Sequence, residues 1–259
     1  MYKRQEIVFL EGISTKYIGA STNKKAKKCY CKFDKILCVS NTVKSNFYKR
    51  FELKENVEVV YNVVDDQSIV EKAQQIPEDL SKDTDNRFKM ITVGRLTKQK
   101  GYDRLLRVHS KLIEDGFDYT LWIIGEGEDR GYLESIIKDK GIQDSTKLFG
   151  FKSNPYPYIK YCDLFVCSSL AEGFSLVVAE SLILGVPVLS TNCAGPNELL
   201  NNGEFGLLVD NNENSLYEGL KKILNNPLLY ENYKCKAKER GSFFKKKICI
   251  DKIEKLLDN

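Results

Sequence analysis

Glu172 and Glu180 stand eight residues apart around the turn Gly173-Phe174-Ser175, which opens the apolar run Leu176-Val177-Val178-Ala179. Carboxylates placed this way can accept hydrogen bonds from hydroxyl groups. Ser175 predicts a helix N-cap, with the following backbone N–H groups facing outward and a macrodipole that favours an anion by about 0.3–1 kcal/mol. A diphosphate seated at that helix start would have a carboxylate on either side, Glu172 before the turn and Glu180 about one and a half turns into the helix. The same residues also fit a surface helix with a glutamate at each end, and this segment alone leaves both readings open.

A second motif, Gly94-Arg95-Leu96-Thr97-Lys98-Gln99-Lys100-Gly101, follows the apolar run from Phe88 to Val93 and precedes an amphipathic segment beginning near Tyr102. It reads as strand, basic loop and helix. Arginine offers a planar fork of donors and lysine a mobile point charge, a pairing suited to the charge that develops on a departing diphosphate. Taken alone, the loop also fits a solvated turn.

The elements that must position these loops alternate. Strands are predicted near 88–94, 119–124, 146–150, 163–167, 187–190 and 206–209, with helical or loop segments between them, a pattern that argues for a parallel sheet covered by helices on both faces. In the doubly wound order 3-2-1-4-5-6, the first and fourth strands are neighbours at the topological switch point. The loop of Arg95 and Lys100 leaves the first strand and the segment Ser168 to Ser175 leaves the fourth. Both motifs are therefore expected at the crevice where such sheets bind ligands.

Together the two motifs resemble the retaining glycosyltransferases of family 4, whose fold is called GT-B, and the resemblance covers most of the chain from about residue 30. It implies an α/β architecture with one complete Rossmann-like, doubly wound parallel-sheet domain and the remnant of a second. It also implies that Arg95 and Lys100 contact the donor pyrophosphate, that Glu172 contacts the donor sugar and that Glu180 contacts the ribose. Arg95, Lys100 and Glu172 form the implied catalytic set. Gly94, Phe151, Gly173, Phe174, Ser175, Leu176 and Glu180 form the implied donor-binding set, with Phe151 near the nucleobase. The family carries a histidine in a loop of its first domain; near Leu10-Glu11-Gly12 this chain has Glu11 instead.

Composition narrows the alternatives. At 259 residues and 42% hydrophobic content the chain can bury a sizeable core. No apolar run approaches the roughly 20 residues that cross a bilayer, and no charged-then-apolar leader opens the sequence, so the expected location is cytoplasmic. Residues 1–65 hold 13 Lys and Arg against 7 Asp and Glu, whereas the remainder holds 27 against 29. The cluster Lys24, Lys25, Lys27, Lys28 and Lys32 fits a solvated helix face, and it also fits peripheral contact with an anionic membrane surface. Nucleic acid is not an expected partner, because stacking aromatics do not interleave the basic segment. Eight cysteines without Cys-x-x-Cys spacing read as reduced thiols. A single histidine, His109, shares a helix face with Leu105, Leu112 and Ile113, so it reads as packed in a core, and no metal site is expected.

The expected organisation is a remnant of an amino-terminal acceptor-side domain over 1–65, a linker with one short helix over 66–86, a nucleotide-sugar donor domain over 87–241 and a carboxy-terminal crossover helix over 242–259. Met1-Tyr2-Lys3-Arg4-Gln5 resembles a translated sequencing adapter, which would place the cut upstream of Glu6. Gly125-Glu126-Gly127 reads as a tight turn, since Arg130 stands where a dinucleotide fingerprint needs its third glycine. The resulting expectation is transfer of a sugar from a nucleotide diphosphate, a UDP-sugar, to a hydroxyl on a saccharide or lipid-linked acceptor, without a metal cofactor. The rivals are a nucleotide-sugar epimerase on the same scaffold, separable by product analysis, and a nucleotide-sugar-binding module without turnover.

Overall fold

The computed structural model describes residues 7–10, 20–53 and 55–257. The adapter-like pentapeptide, Glu6 and the Glu11-Gly12 position lie outside the described residues. The chain divides into two compact units, one comprising Met1–Val63 with Lys246–Asn259 and the other Val64–Lys245.

The smaller unit holds β1 (Ile7–Leu10), α1 (Ala20–Tyr30), β2 (Lys35–Cys38), α2 (Asn41–Phe51) and β3 (Val57–Val59), its strands paired in parallel in the order β1-β2-β3. Ser40 begins α2 as expected of a serine N-cap, its hydroxyl accepting from the Val43 N–H at 3.1 Å. Phe47 and Phe51, one turn apart on α2, meet Tyr30 of α1 with ring centroids 5.0 and 4.9 Å away. Burial raises the Cys38 thiol to about 11, a thiol kept protonated by its apolar surroundings.

The larger unit continues with α3 (Asp66–Lys72), α4 (Glu78–Ser81), β4 (Phe88–Val93), α5 (Tyr102–Glu114), β5 (Tyr119–Ile124), α6 (Arg130–Asp139), β6 (Thr146–Gly150), α7 (Tyr156–Tyr161), β7 (Leu164–Cys167), α8 (Leu176–Ile183), β8 (Val188–Thr191), α9 (Ala194–Leu199), β9 (Leu207–Val209), α10 (Glu213–Leu224) and α11 (Pro227–Gly241). Its six strands are all parallel, in the order β6-β5-β4-β7-β8-β9. This is the doubly wound order expected from the alternation, and the fold is α/β of the GT-B type. Strand side chains alternate between two cores. Ile91, Trp122 and Phe165 face the layer containing α8, while Met90, Leu121, Leu164 and Val166 face the layer containing α5 and α10. Each fully buried side chain of this size contributes about 1.5–3 kcal/mol. The adjacency of β4 and β7 is thus held by burial, independently of the loops that leave their ends.

Residues 66–86 contain two short helices, not one: Ile69 and Leu80 are buried in the same core as Trp122, and Pro77 leads into α4. The tail differs too. Phe244 closes a short 3-10 turn in the core of the larger unit, Lys245 is extended at φ −60°, ψ 130°, and only then does α12 (Lys246–Leu257) begin. Its Ile248 is exposed while Cys249 is buried. All eight cysteines are free thiols.

At the N-terminal edge of the large sheet, Asp83 is sandwiched between two lysines. Lys147 Nζ lies 2.7 Å from one carboxylate oxygen and Lys89 Nζ 3.6 Å from the other, with Lys89 and Asp83 only 6% and 7% exposed. Both ammonium groups also lie over the Trp122 ring. The arrangement ties the segment before β4 to the underside of the sheet.

Candidate functional site

β4 and β7 are neighbours, so the loops leaving their C-terminal ends are brought side by side. Gly101 lies between them. It adopts the left-handed region at φ 64°, and a Cβ there would come within 2.4 Å of the Ser168 carbonyl. Only glycine fits that approach. Hydrogen bonds run across the gap: the Leu170 N–H donates to the Gln99 carbonyl at 2.7 Å, Gln99 Nε2 to the Ala171 carbonyl at 2.8 Å, and Ser168 Oγ to the Lys100 carbonyl at 2.9 Å.

The charged side chains meet above this junction. Lys100 Nζ donates to Glu172 Oε1 at 2.6 Å, and Ser169 Oγ donates to the same oxygen at 2.7 Å. Glu172 is 9% exposed at its side chain and Lys100 22%. The Arg95 carbonyl accepts from the Thr97 N–H at 2.9 Å, but the Arg95 side chain is exposed and, among the described residues, has no hydrogen bond or ion pair. It borders a cavity of about 320 Å³ together with Gly94, Glu126 and Phe151, a residue 74% exposed.

Gly173, Phe174 and Ser175 complete the second loop, and Leu176 opens α8 half-exposed. Ser175 occupies the N-cap position, but its hydroxyl makes no capping bond and is buried without a hydrogen-bond partner. The N-cap expectation is corrected to that extent. Since the first intrahelical bond is Val178 N–H to the Ser175 carbonyl, the Leu176 and Val177 N–H groups have no acceptor within the helix. They leave a donor-rich, electropositive helix start beside Lys100 and Glu172.

Glu180 lies on α8 and accepts from the Tyr156 hydroxyl at 3.2 Å. Burial pushes its carboxyl above the usual carboxylate range, and the tyrosine hydrogen bond partly offsets this. Burial, together with the Glu180 charge, raises the Tyr156 phenol to about 12. Asn192 to Pro196 reads in sequence as a glycine-proline turn before a helix near Asn197, but α9 starts earlier, at Ala194, because Pro196 is accommodated in its first turn. The Gly195 N–H donates to the Glu172 carbonyl at 3.0 Å, so α9 also holds the acidic loop.

Two supports of the site were not assigned to it from sequence. Arg104 of α5 is 6% exposed, and its guanidinium donates to the Ser168 carbonyl at 2.9 and 2.5 Å and to the Ser169 carbonyl at 2.9 Å. An arginine among the buried positions of α5 was the available signal. The other is the Gly125-Glu126-Gly127 turn, which props the basic loop. The Leu96 N–H donates to the Glu126 carbonyl at 2.9 Å, and a Cβ on Gly125 would meet the Gly94 carbonyl at 1.9 Å. His109, by contrast, is fully buried at a distance in the fold from these loops, bonded to Tyr119 Oη at 2.8 Å and Ser145 Oγ at 2.9 Å.

A profile of the family described as Glycosyl transferases group 1 matches residues 72–240, which contain every residue of this site. The chain belongs to that family. Among curated group 1 relatives, the N-acetylgalactosamine-N,N'-diacetylbacillosaminyl-diphospho-undecaprenol 4-alpha-N-acetylgalactosaminyltransferase of Campylobacter jejuni is 37% identical over 232 residues, covering 88% of this chain and 61% of the relative. The chain thus spans less than two thirds of that relative's length. Among solved structures, HepE of Anabaena in complex with UDP aligns with a TM-score of 0.86 at 19% identity, over 98% of this chain and 72% of that one. A glycosyltransferase of Rickettsia africae aligns at 0.83 and 21% identity, over 97% and 69%. At these identities the structural likeness shows the fold alone.

Proposed function

We propose that the protein is a retaining glycosyltransferase that moves a sugar from a nucleotide diphosphate donor, a UDP-sugar, to a hydroxyl of a saccharide or lipid-linked acceptor in cell-surface polysaccharide or glycoconjugate synthesis. The observation that carries the reading is the convergence of Arg95, Lys100, Glu172 and the open start of α8 at the switch point of one parallel sheet. Cations and free backbone donors there suit the pyrophosphate, whose leaving oxygen gains charge as the glycosidic bond breaks. Glu172 orients the sugar and Glu180 accepts from the ribose. Phe151 offers its exposed ring to the base. The departing phosphate oxygen takes the acceptor proton, so no protein nucleophile and no metal is assigned.

The lipid-linked acceptor is supported by the undecaprenol-linked substrate in the name of the Campylobacter relative. Lys24, Lys25, Lys28 and Lys32 are exposed on and just after α1, a distribution that supports peripheral contact with an anionic inner membrane face from the cytoplasm. Among the described residues, no helix is long and apolar enough to cross a membrane. The test is incubation with UDP-glucose, UDP-N-acetylglucosamine and UDP-N-acetylgalactosamine plus saccharide and polyprenol-linked acceptors, with anomer analysis of products. Transfer with retained configuration is expected; an epimerised nucleotide sugar without acceptor would contradict the proposal.

A further inference from the structure

The two cations of the basic loop are in different states. The Arg95 side chain is exposed and without a partner among the described residues, ready for an anion, whereas Lys100 is committed to Glu172 at 2.6 Å. A diphosphate that recruits Lys100 must draw it from a carboxylate whose side chain is only 9% exposed. Removing one partner from such a pair leaves a poorly solvated charge, which is costly. Ser169 Oγ, at 2.7 Å from the same oxygen, compensates with a single neutral hydrogen bond.

We infer that the Lys100–Glu172 pair is a specificity-determining latch that discriminates the intact nucleotide sugar from the spent nucleoside diphosphate. The inference rests on the donor-site reading above and concerns how that site chooses between its two nucleotide ligands. An intact donor supplies diphosphate oxygens to Lys100 and sugar hydroxyls to Glu172, so both members of the broken pair are satisfied again. A bare nucleoside diphosphate satisfies Lys100 alone. Its affinity is lowered by the fraction of molecules in which Lys100 is released. Once the sugar has left, Glu172 loses its hydroxyl donors and takes Lys100 back, which weakens the hold on the product nucleotide. Among the described residues the Arg95 side chain and the first α8 N–H groups have no competing carboxylate contact, and they bind both ligands alike.

The geometry favours this exchange over a static structural bridge. Both loops are already fixed without the ion pair, by the Arg104 bonds to Ser168 and Ser169, by Gln99 with Ala171 and by Gly195 with Glu172. Loss of the salt bridge therefore leaves the loop framework standing.

The experiment is calorimetric titration of the 259-residue chain and of Glu172→Gln with UDP, and with whichever of UDP-glucose, UDP-N-acetylglucosamine and UDP-N-acetylgalactosamine binds the wild type most tightly. The neutral amide holds Lys100 more weakly, as an uncharged acceptor, so UDP should bind the variant about 5-fold more tightly, and the preference for nucleotide sugar over UDP should fall toward one. Glu172→Asp, which keeps the charge but withdraws it by one methylene, should shift UDP affinity in the same direction by a smaller factor. Thermal melting of each variant verifies folding. Unchanged or weaker UDP binding in both folded variants overturns the latch alone. A wild-type chain that binds neither UDP nor any of the three sugar nucleotides overturns the donor-site reading, and the latch with it.

Discussion

One sheet carries a lysine–carboxylate cluster at each end, and the two ends use the same chemistry differently. At the N-terminal edge Asp83 lies between Lys89 and Lys147, with Lys89 and Asp83 almost fully buried and both lysines over Trp122. At the C-terminal edge Lys100 meets Glu172 in a half-open site, Arg95 stands uncommitted and the first N–H groups of α8 have no helical acceptor. In the first cluster two ammonium groups share one carboxylate, and Lys89 donates besides to the Asp85 and Arg87 carbonyls, so its donors are taken up within the fold. The second has donors in excess, which is the condition for receiving an anion. A lysine–carboxylate pair thus reads as structure or as site according to what remains unsatisfied around it.

The largest expected effect falls on stability at the N-terminal edge. Asp83→Ala leaves Lys89 buried with only carbonyl partners and should cost about 3–5 kcal/mol in urea denaturation. UDP affinity of the variant under folding conditions should change less than 2-fold, roughly the scatter expected for a distant, independent site. A comparable loss of UDP binding would erase the distinction between the two ends.

The reverse pattern is expected at the C-terminal edge. Arg95→Ala and Lys100→Ala should each lower transfer by on the order of 10²-fold, since each removes charge stabilisation that grows as the diphosphate departs. The melting temperature should move little in Arg95→Ala, because that side chain is exposed, whereas Lys100→Ala leaves Glu172 with only the Ser169 hydroxyl and should lower it, though by less than the Asp83 substitution. Near-normal transfer in both variants would remove the catalytic assignment.

His109 offers a control away from the C-terminal edge, since its partners Tyr119 and Ser145 lie at the start of β5 and just before β6. Burial is the main cause that lowers its imidazole to about 4, with the Arg87 charge acting in the same direction. Tyr119 and Ser145 are its hydrogen-bond partners. The folded pKa lies below the unfolded one, so the unfolded chain takes up the proton first. Stability is full above about pH 6.5 and declines as pH falls toward 4, by about 2–3 kcal/mol in total. Denaturation at pH 5 and 7 should show this slope in the wild type and a flatter one in His109→Gln; equal slopes would contradict the buried neutral imidazole.

The smallest effect concerns metal. With two lysine or arginine cations and a helix start available to the phosphates, transfer should be unchanged within error by EDTA. Loss of transfer restored by manganese or magnesium would show that the protein cations do not suffice.

Much of this fold was legible because the β-strands of the larger unit are short apolar runs with clear breaks, and a doubly wound order brings the first and fourth together whatever their loops contain. The loop residues themselves, Arg95, Lys100, Glu172 and Glu180, stood out by type and spacing. What stayed hidden depends on three-dimensional balance. Arg104 sits in an amphipathic helix rich in basic residues, and only burial against two carbonyls separates it from its solvated neighbours. The Asp83 cluster joins residues 64 positions apart that carry no motif. Ser175 has the right type for a cap, but its hydroxyl is buried away from any partner, a fact of side-chain placement that spacing does not encode. Gly195-Pro196 reads as a turn in sequence, yet a proline in the first helical turn forfeits no helical hydrogen bond, so α9 begins before it.

The central claim is that the C-terminal edge of this sheet is a nucleotide-sugar donor site. The most direct measurement is a crystal structure of the chain with UDP. The account predicts the pyrophosphate over the start of α8, within hydrogen-bond distance of Arg95 and of the Leu176 or Val177 N–H, with Lys100 turned from Glu172 to the phosphate and Glu180 at the ribose. UDP bound elsewhere, or bound here with the pyrophosphate out of reach of Arg95 and the helix start, would contradict it.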